Sequence, residues 1–186
     1  MSLTPTLSSL EALYRKLERE LYRAYHQRDT VHKADHFFNF CVTAHSMRDY
    51  FVERLGKIEK QNRQPFEERW AKEPLLVAVA DIANSTKHFA LRTCTLAPRM
   101  AETKRVGLRK SKFVDLYMNE HGEIRTIPNL APDITITVSD GQKYGLYKFM
   151  IDVMAYWRDF LSSHNIQIRR QSVARLRGKT TPDPQF

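Results

Sequence analysis

Four polar residues inside an otherwise apolar stretch carry the clearest suggestion of chemistry. Asp81, Asn84, His88 and Arg92 recur at steps of three, four and four within LLVAVADIANSTKHFALRTC, so on a helix they share one face. Asn84 and His88 stand one turn apart and can hydrogen-bond, and a neutral imidazole there can take or give a proton near neutral pH. The same pattern also suits a polar stripe that satisfies a neighbouring helix or simply meets solvent. His45 is different, because Phe38, Cys41 and Val52 lie on its side of a helix, which marks it as a core histidine with satisfied nitrogens. His32-x-x-x-His36, with Asp35 beside it, has the one-turn spacing of two metal ligands. Neither H-E-x-x-H nor a third ligand accompanies the pair, and no metal is expected.

Other routes to catalysis lack their residues. There is no G-x-S-x-G, and Cys41 and Cys94 sit among apolar residues, where a thiol stays protonated and inert. Six glycines include neither G-x-x-x-x-G-K nor G-x-G-x-x-G, so a phosphate-cradling loop and nucleotide-dependent chemistry are not expected. No cofactor is implied.

Charge is more informative. The chain has 186 residues and a net charge of +9, with 30 Lys and Arg against 21 Asp and Glu. Arg99, Lys104, Arg105, Arg109, Lys110 and Lys112 against Glu102 leave residues 99–112 at +5. Arg169, Arg170, Arg175, Arg177 and Lys179 against Asp183 leave residues 164–186 at +4. The remainder is neutral, so the whole excess sits in one connecting segment and the C-terminal tail, as expected of contacts to a phosphate backbone. A solvated loop and a solubilising tail would look the same. No aromatic ladder is interleaved with either cluster, so the sequence gives base stacking no support.

The elements that must position these residues follow from periodicity. A capping box, Ser8-x-x-Glu11, opens a helix to about His26 with Leu10, Leu13, Leu17, Leu21 and Ala24 as its core stripe. A second helix, about Val31 to Gly56, has Ala34, Phe37, Phe38, Cys41, Ala44, Phe51 and Leu55 on a broad core face. Lys57 to Ala71 is polar and contains Pro65, and is expected to be a loop with a short helical piece. A third helix, about Glu73 to Cys94, carries the polar face described above. Alternating stretches at Phe113–Met118, Ile124–Ile127 and Ile134–Val138, separated by Gly122 and Asp140-Gly141, predict a small antiparallel hairpin or meander. A last helix, about Tyr144 to Ser163, stripes Leu146, Phe149, Met150, Val153, Trp157 and Phe160 toward the core. The expected fold is mainly α, an antiparallel four-helix bundle with a β insertion at about 113–143. Residues 1–163 form its single domain, and 164–186 form a basic, flexible tail.

A hydrophobic content of 42% is enough for one sizeable core, and the charged fraction of 27% argues against disorder. The longest apolar run, Leu75 to Ala80, is too short for a membrane span, which needs about 20 residues. The first residues show no basic stretch leading into an apolar run, so no secretory signal is expected. Two cysteines cannot form a disulfide framework, which fits a reducing, cytoplasmic setting.

The segments ADHFFNFCVTAHSMRDYF (34–51) and DIANSTKHFAL (81–91) resemble those of uncharacterised prokaryotic proteins with HEPN-like helical bundles. The resemblance loosely covers residues 7–163. It implies a four-helix bundle that commonly dimerises and whose third or fourth helix carries an Arg, a polar residue that is often Asn, and a His. Active members are metal-independent endoribonucleases in which the His and Arg act on the scissile phosphodiester, and many are bacterial toxins or phage-defence proteins. Asn84 and His88 fit the polar and His places, but Ala83 stands where the Arg belongs. Without that guanidinium, charge developing on the phosphate loses its obvious donor. Arg92 or Arg48 are the candidate substitutes.

The expected function is therefore RNA binding through segments 99–112 and 164–186, with Asn84, His88 and Arg92 as a degenerate ribonuclease motif rather than an efficient catalytic set. The alternative is a non-enzymatic protein-interaction module, such as a toxin–antitoxin or defence-system subunit. A protein partner or a second copy would then cover the Met- and aromatic-rich helix faces.

Overall fold

The computed structural model describes residues 7–57, 59–85, 103–118, 121–138 and 141–168, with 103–117 and 129–132 described by their backbone. Helix α1 (Leu10–His26) begins where the Ser9 hydroxyl accepts the N–H of Ala12 at 3.1 Å. The cap is thus one residue later than the expected box, and Glu11 enters the first turn as a favourable negative charge. Helix α2 (Thr30–Arg54) is capped by Asp29, which accepts the His32 N–H at 2.9 Å. The chain leaves α2 through Gly56 at φ +65°, a left-handed conformation that a residue without Cβ adopts freely.

Three ties fix α1 antiparallel to α2. Tyr50 donates to the Leu7 carbonyl at 2.8 Å, Lys16 to the Thr43 hydroxyl at 2.7 Å, and Lys33 to the Ala24 carbonyl at 2.9 Å. As residue numbers fall along one helix they rise along the other. Helix α5 (Leu146–Ser163) lies against both: its Met154 carbonyl receives the Tyr14 hydroxyl at 3.3 Å, and Phe149 and Phe160 meet Phe37 and Phe51 of α2. All six residues of its expected core stripe are buried. On α1, Leu10, Leu13, Leu17 and Ala24 are buried as expected, with Tyr14 and Glu20 joining them.

Where a loop with a short helical piece is expected, residues 60–71 form one continuous helix. Helix α3 (Lys60–Ala71) runs through Pro65, which can donate no backbone hydrogen bond. Tertiary contact outweighs that loss. Phe66 and Trp70, one turn apart, share a face, and their rings sit 5.2 and 6.1 Å from that of Phe51. Helix α4 (Pro74–Asn84) follows, with Pro74 in the first helical position, where its missing N–H costs nothing. The helix expected to reach Cys94 is seen to Asn84, and 86–94 lie outside the described residues.

The hairpin expected before the last helix is present, but it starts at Thr103 rather than Phe113. Strand β1 (Thr103–Met118) pairs antiparallel with β2 (Ile124–Val138), and β3 (Lys143–Gly145) adds a short third strand in the order β1-β2-β3. Gly122 and Gly141, at φ +79° and +88°, stand in the two turns. Ile134, Ile136 and Val138 are buried against the helices, whereas Ile124, Ile127 and Met118 at the far end are exposed. The base of the sheet is therefore core, and its tip is not. The chain remains on the bundle past α5, where Ile166 and Ile168 pack partly buried against the core. Residues 169–186 lie outside the described residues.

Candidate nucleic-acid interface

Asn84 closes α4 and is half-buried, and Asp81, one turn before it, is buried. His88 and Arg92 lie outside the described residues. Ala83, at the place of the missing Arg, is buried. Arg48 is held elsewhere: its Nη2 donates to the Leu76 carbonyl at 3.0 Å and its guanidinium lies 5.7 Å from the centre of the Trp70 ring. Leu76 precedes Asn84 by two turns, about 12 Å along the axis. Arg48 thus braces the start of α4.

The paired histidines do not act together either. His32 lies beside its own cap residue, Nδ1 to Asp29 Oδ1 at 3.5 Å, while the His36 Nδ1 meets Glu20 Oε2 at 3.0 Å. Among the described residues no group of three or more His, Cys, Asp or Glu is placed to hold a metal ion. Cys41 is fully buried, and burial pushes its thiol well above the ordinary range, which keeps it protonated and unreactive. His45 is half-buried on α2.

The basic segment expected to be a connection is mostly strand. Lys104, Arg105, Arg109, Lys110 and Lys112 all belong to β1. Arg99, Arg169, Arg170, Arg175 and Arg177 lie outside the described residues. Lys104 falls at a register irregularity, and Arg105 and Arg109 stand opposite Thr137 and Asp133. Directly opposed residues share a face, so these two arginines occupy positions on the face away from Ile134, Ile136 and Val138. Lys143 of β3 completes the row, since Thr137 pairs with Arg105 on one side and Lys143 on the other. One row of the sheet thus carries a cation on each outer strand.

A buried lysine lies where this sheet meets the bundle. Lys33 is buried; it donates to the carbonyls of Ala24 and Tyr25, at 2.9 and 3.2 Å, in the last turn of α1. Those carbonyls would otherwise end the helix unpaired. Burial lowers the Lys33 pKa, and the nearby Asp133 carboxylate on β2 opposes that shift. One side chain therefore ties the end of α1 to the start of α2, with the Asp133 carboxylate of the sheet nearby.

The same end of the bundle carries a group of rings that sequence reasoning missed. Tyr22, Tyr25 and Tyr147 are 51%, 42% and 50% exposed, although they touch. Tyr25 lies 4.8 Å from Tyr147 and 5.1 Å from His26, and Tyr22 lies 4.2 Å from His26, centre to centre. The signal was present in each helix: these aromatics fall off the apolar stripe that the helix buries. Their convergence was not, because Tyr25 and Tyr147 belong to opposite ends of the sequence.

At the other end of the bundle, a groove of about 560 Å³ runs between Ser8, Tyr50, Arg54 and Ile168. Glu11 and Glu53 line it with Arg54, which makes it a poor site for an anion. No helix among the described residues is long and apolar enough to cross a membrane. No protein-family model matches the chain, and neither a curated protein nor a solved structure shows significant similarity to it.

Proposed function

We propose that this protein is an HEPN-like RNA-binding protein whose phosphate contacts come from the basic segments 99–112 and 164–186. The observation that carries the reading is the gathering of five lysines and arginines on β1, in a sheet whose outer row also presents Lys143. A strand holds its residues on a rigid frame and divides them between two faces, with Arg105 and Arg109 at positions of one and Lys110 and Lys112 at positions of the other, so either face offers cations to a phosphate backbone. The antiparallel α1 and α2, with α5 against both, are compatible with the bundle that the resemblance implies. Asn84, His88 and Arg92 remain the residues of the degenerate ribonuclease motif in this proposal.

The test is binding and cleavage of labelled single-stranded RNA by the full chain in EDTA, at low and high salt. Neutralising about five phosphates should give a slope of log affinity against log salt near −3.5. Replacing the β1 lysines and arginines with Gln should flatten that slope. Salt-insensitive binding, or a slope unchanged in the Gln variant, would remove these residues from the interface. RNA cleavage abolished by His88→Ala would show that the altered motif is still catalytic.

A further inference from the structure

Beyond the row in which β3 ends, β1 and β2 pair only with each other among the described residues. The nine rows from Lys110 opposite Pro132 to Met118 opposite Ile124 run without a bulge. That is an arm about 30 Å long. Opposed residues share a face, and alternate rows return to it. The face that carries Ile134, Ile136 and Val138 at the base, where the helices bury them, therefore continues out along the arm. Of its eight positions from the row of Lys112 and Leu130 to that of Met118 and Ile124, six are apolar, Lys112 and Thr126 being the exceptions. This is the alternation of a half-buried sheet without the cover. Residues 121–128 are exposed one after another, and Met118 and Ile124 are 70% and 67% exposed.

A second apolar surface lies open on the helices. The rings of Tyr25 and Tyr147 touch, Tyr22 reaches them through His26, and Ile151, one turn after Tyr147 on the same face of α5, is exposed as well. Contiguous exposed apolar surface marks a contact site. The two surfaces do not meet within one chain. Gly145, two residues before Tyr147, shares a row with Gly107, and Met118 is eleven residues farther along β1. An unbroken ribbon thus keeps its tip about 30 Å from the Tyr147 of its own chain.

A second copy supplies what each surface lacks. One arm face of about 300 Å² laid on a partner removes roughly 600 Å² from water, which is small for a stable contact. Two arms exchanged about a twofold axis reach about 1,200 Å², where interfaces of standard size begin. Charge selects the same partner. Residues 113–130 hold Asp115, Glu120 and Glu123 against Arg125, a net −2, and taking this from the chain's +9 leaves +11 on the rest. Such an arm is repelled by a phosphate backbone and attracted to another copy of its own chain. We infer that the arm of one copy lies on the face of Tyr25, Tyr147 and Ile151 of a second copy, whose arm lies on the first in return. The base of the sheet already packs in this way, its apolar face on helices. The exchange goes beyond the RNA-binding reading and does not depend on it.

The experiment is sedimentation of the full chain over a range of concentrations, beside an arm variant, Met118→Glu/Ile124→Glu, and a face variant, Tyr25→Ala/Tyr147→Ala. The wild type should be dimeric at about 10 μM, and each variant should associate about 100-fold more weakly. Mixed in equal amounts, the two variants retain one intact arm and one intact face, and the mixture should associate about tenfold more tightly than either variant alone. Unfolding of dilute samples, in which the copies are apart, should be the same for all three, since the four replaced side chains are exposed. Should the arm variant melt early, Ile124→Thr, which keeps a β-branched residue, should still weaken the dimer about tenfold. A dimer indifferent to the arm variants, or a mixture no better than its parts, would overturn the exchange. So would a dimer lost in the arm variant and kept in the face variant, which would mean that arm packs on arm. A wild type that is monomeric at every concentration would overturn it too, and slow amide exchange at Ile124 in that monomer would assign the cover to residues 86–102.

Discussion

At one end of the bundle Phe51, Trp70, Trp157 and Phe160 touch ring to ring and are shut away from water. At the other, Tyr22, Tyr25, His26 and Tyr147 touch ring to ring with about half their surface in water. From Phe51 to Lys33, near the exposed group, is about 27 Å along α2. Both groups draw on α1, α2 or α5, so secondary structure does not separate them. Their surroundings do. The buried group is enclosed by a third helix, α3, and capped by the guanidiniums of Arg48 over Trp70 and Arg69 over Phe160. The exposed group keeps about half of its surface in water, with no described element closed over it. Aromatic contact by itself therefore says little about role; which elements close over the rings says much more.

The sharpest way to break this comparison is Trp70→Ala. It should cost about 3–5 kcal/mol in urea unfolding, because it opens a cavity between three helices. A loss below 1 kcal/mol would mean that the buried rings are no more structural than the exposed ones. Lys33→Ala comes next, at about 1–3 kcal/mol, since it strips the Ala24 and Tyr25 carbonyls of their donor and leaves Asp133 without its nearby cation. It should also loosen the exposed rings, so amide exchange at the end of α1 should speed up more than at Leu13.

A smaller effect is expected at Asp29, whose carboxyl is held below its ordinary 3.8, chiefly by the N–H of His32. A depressed carboxylate pKa contributes stability that is present above the ordinary value and is lost as pH falls through the lowered one. The difference in melting temperature between the wild type and Asp29→Asn should therefore be constant at neutral pH and shrink in acid below 3.8. A difference that grew in acid would contradict the cap. The smallest stability change belongs to Tyr25→Ala/Tyr147→Ala, within about 0.5 kcal/mol, as for surface positions away from core or cap. A loss comparable to that of Trp70→Ala would make the exposed rings part of the core and end the distinction.

Much of the fold was legible in the chain. The stripes of α1 and α5 predicted their buried faces almost residue by residue, because a helix that buries one side must repeat apolar residues at its own period. Gly122 and the Asp140-Gly141 dipeptide marked the turns, because positive φ there favours residues without a Cβ. Helix α3, where the sequence suggests a loop with a short helical piece, is a full three turns. Its charges and Pro65 describe the side that faces water, and the two aromatics that secure it, Phe66 and Trp70, count for little until Phe51 and Trp157 are in place. The basic run looks like a connection in the sequence because lysines and arginines hide a strand's alternation, and pairing with β2 is what makes it a strand.

Of the candidate site, the sequence by itself determined which residue types were available: the cations of 99–112, the Asn84 and His88 spacing, and tyrosines set off the apolar stripes. Periodicity reports which face of a segment is turned inward, a local property, and carries no information about what that face meets. Only the tertiary structure decided that Arg48 braces Leu76 and Trp70, that Lys33 ties α1 to α2 near the Asp133 carboxylate, and that the rings of Tyr25 and Tyr147 come within 4.8 Å of each other. The physical reason is that these meetings depend on how α1, α2, α5 and the sheet pack together, and that packing is fixed by the whole buried core at once.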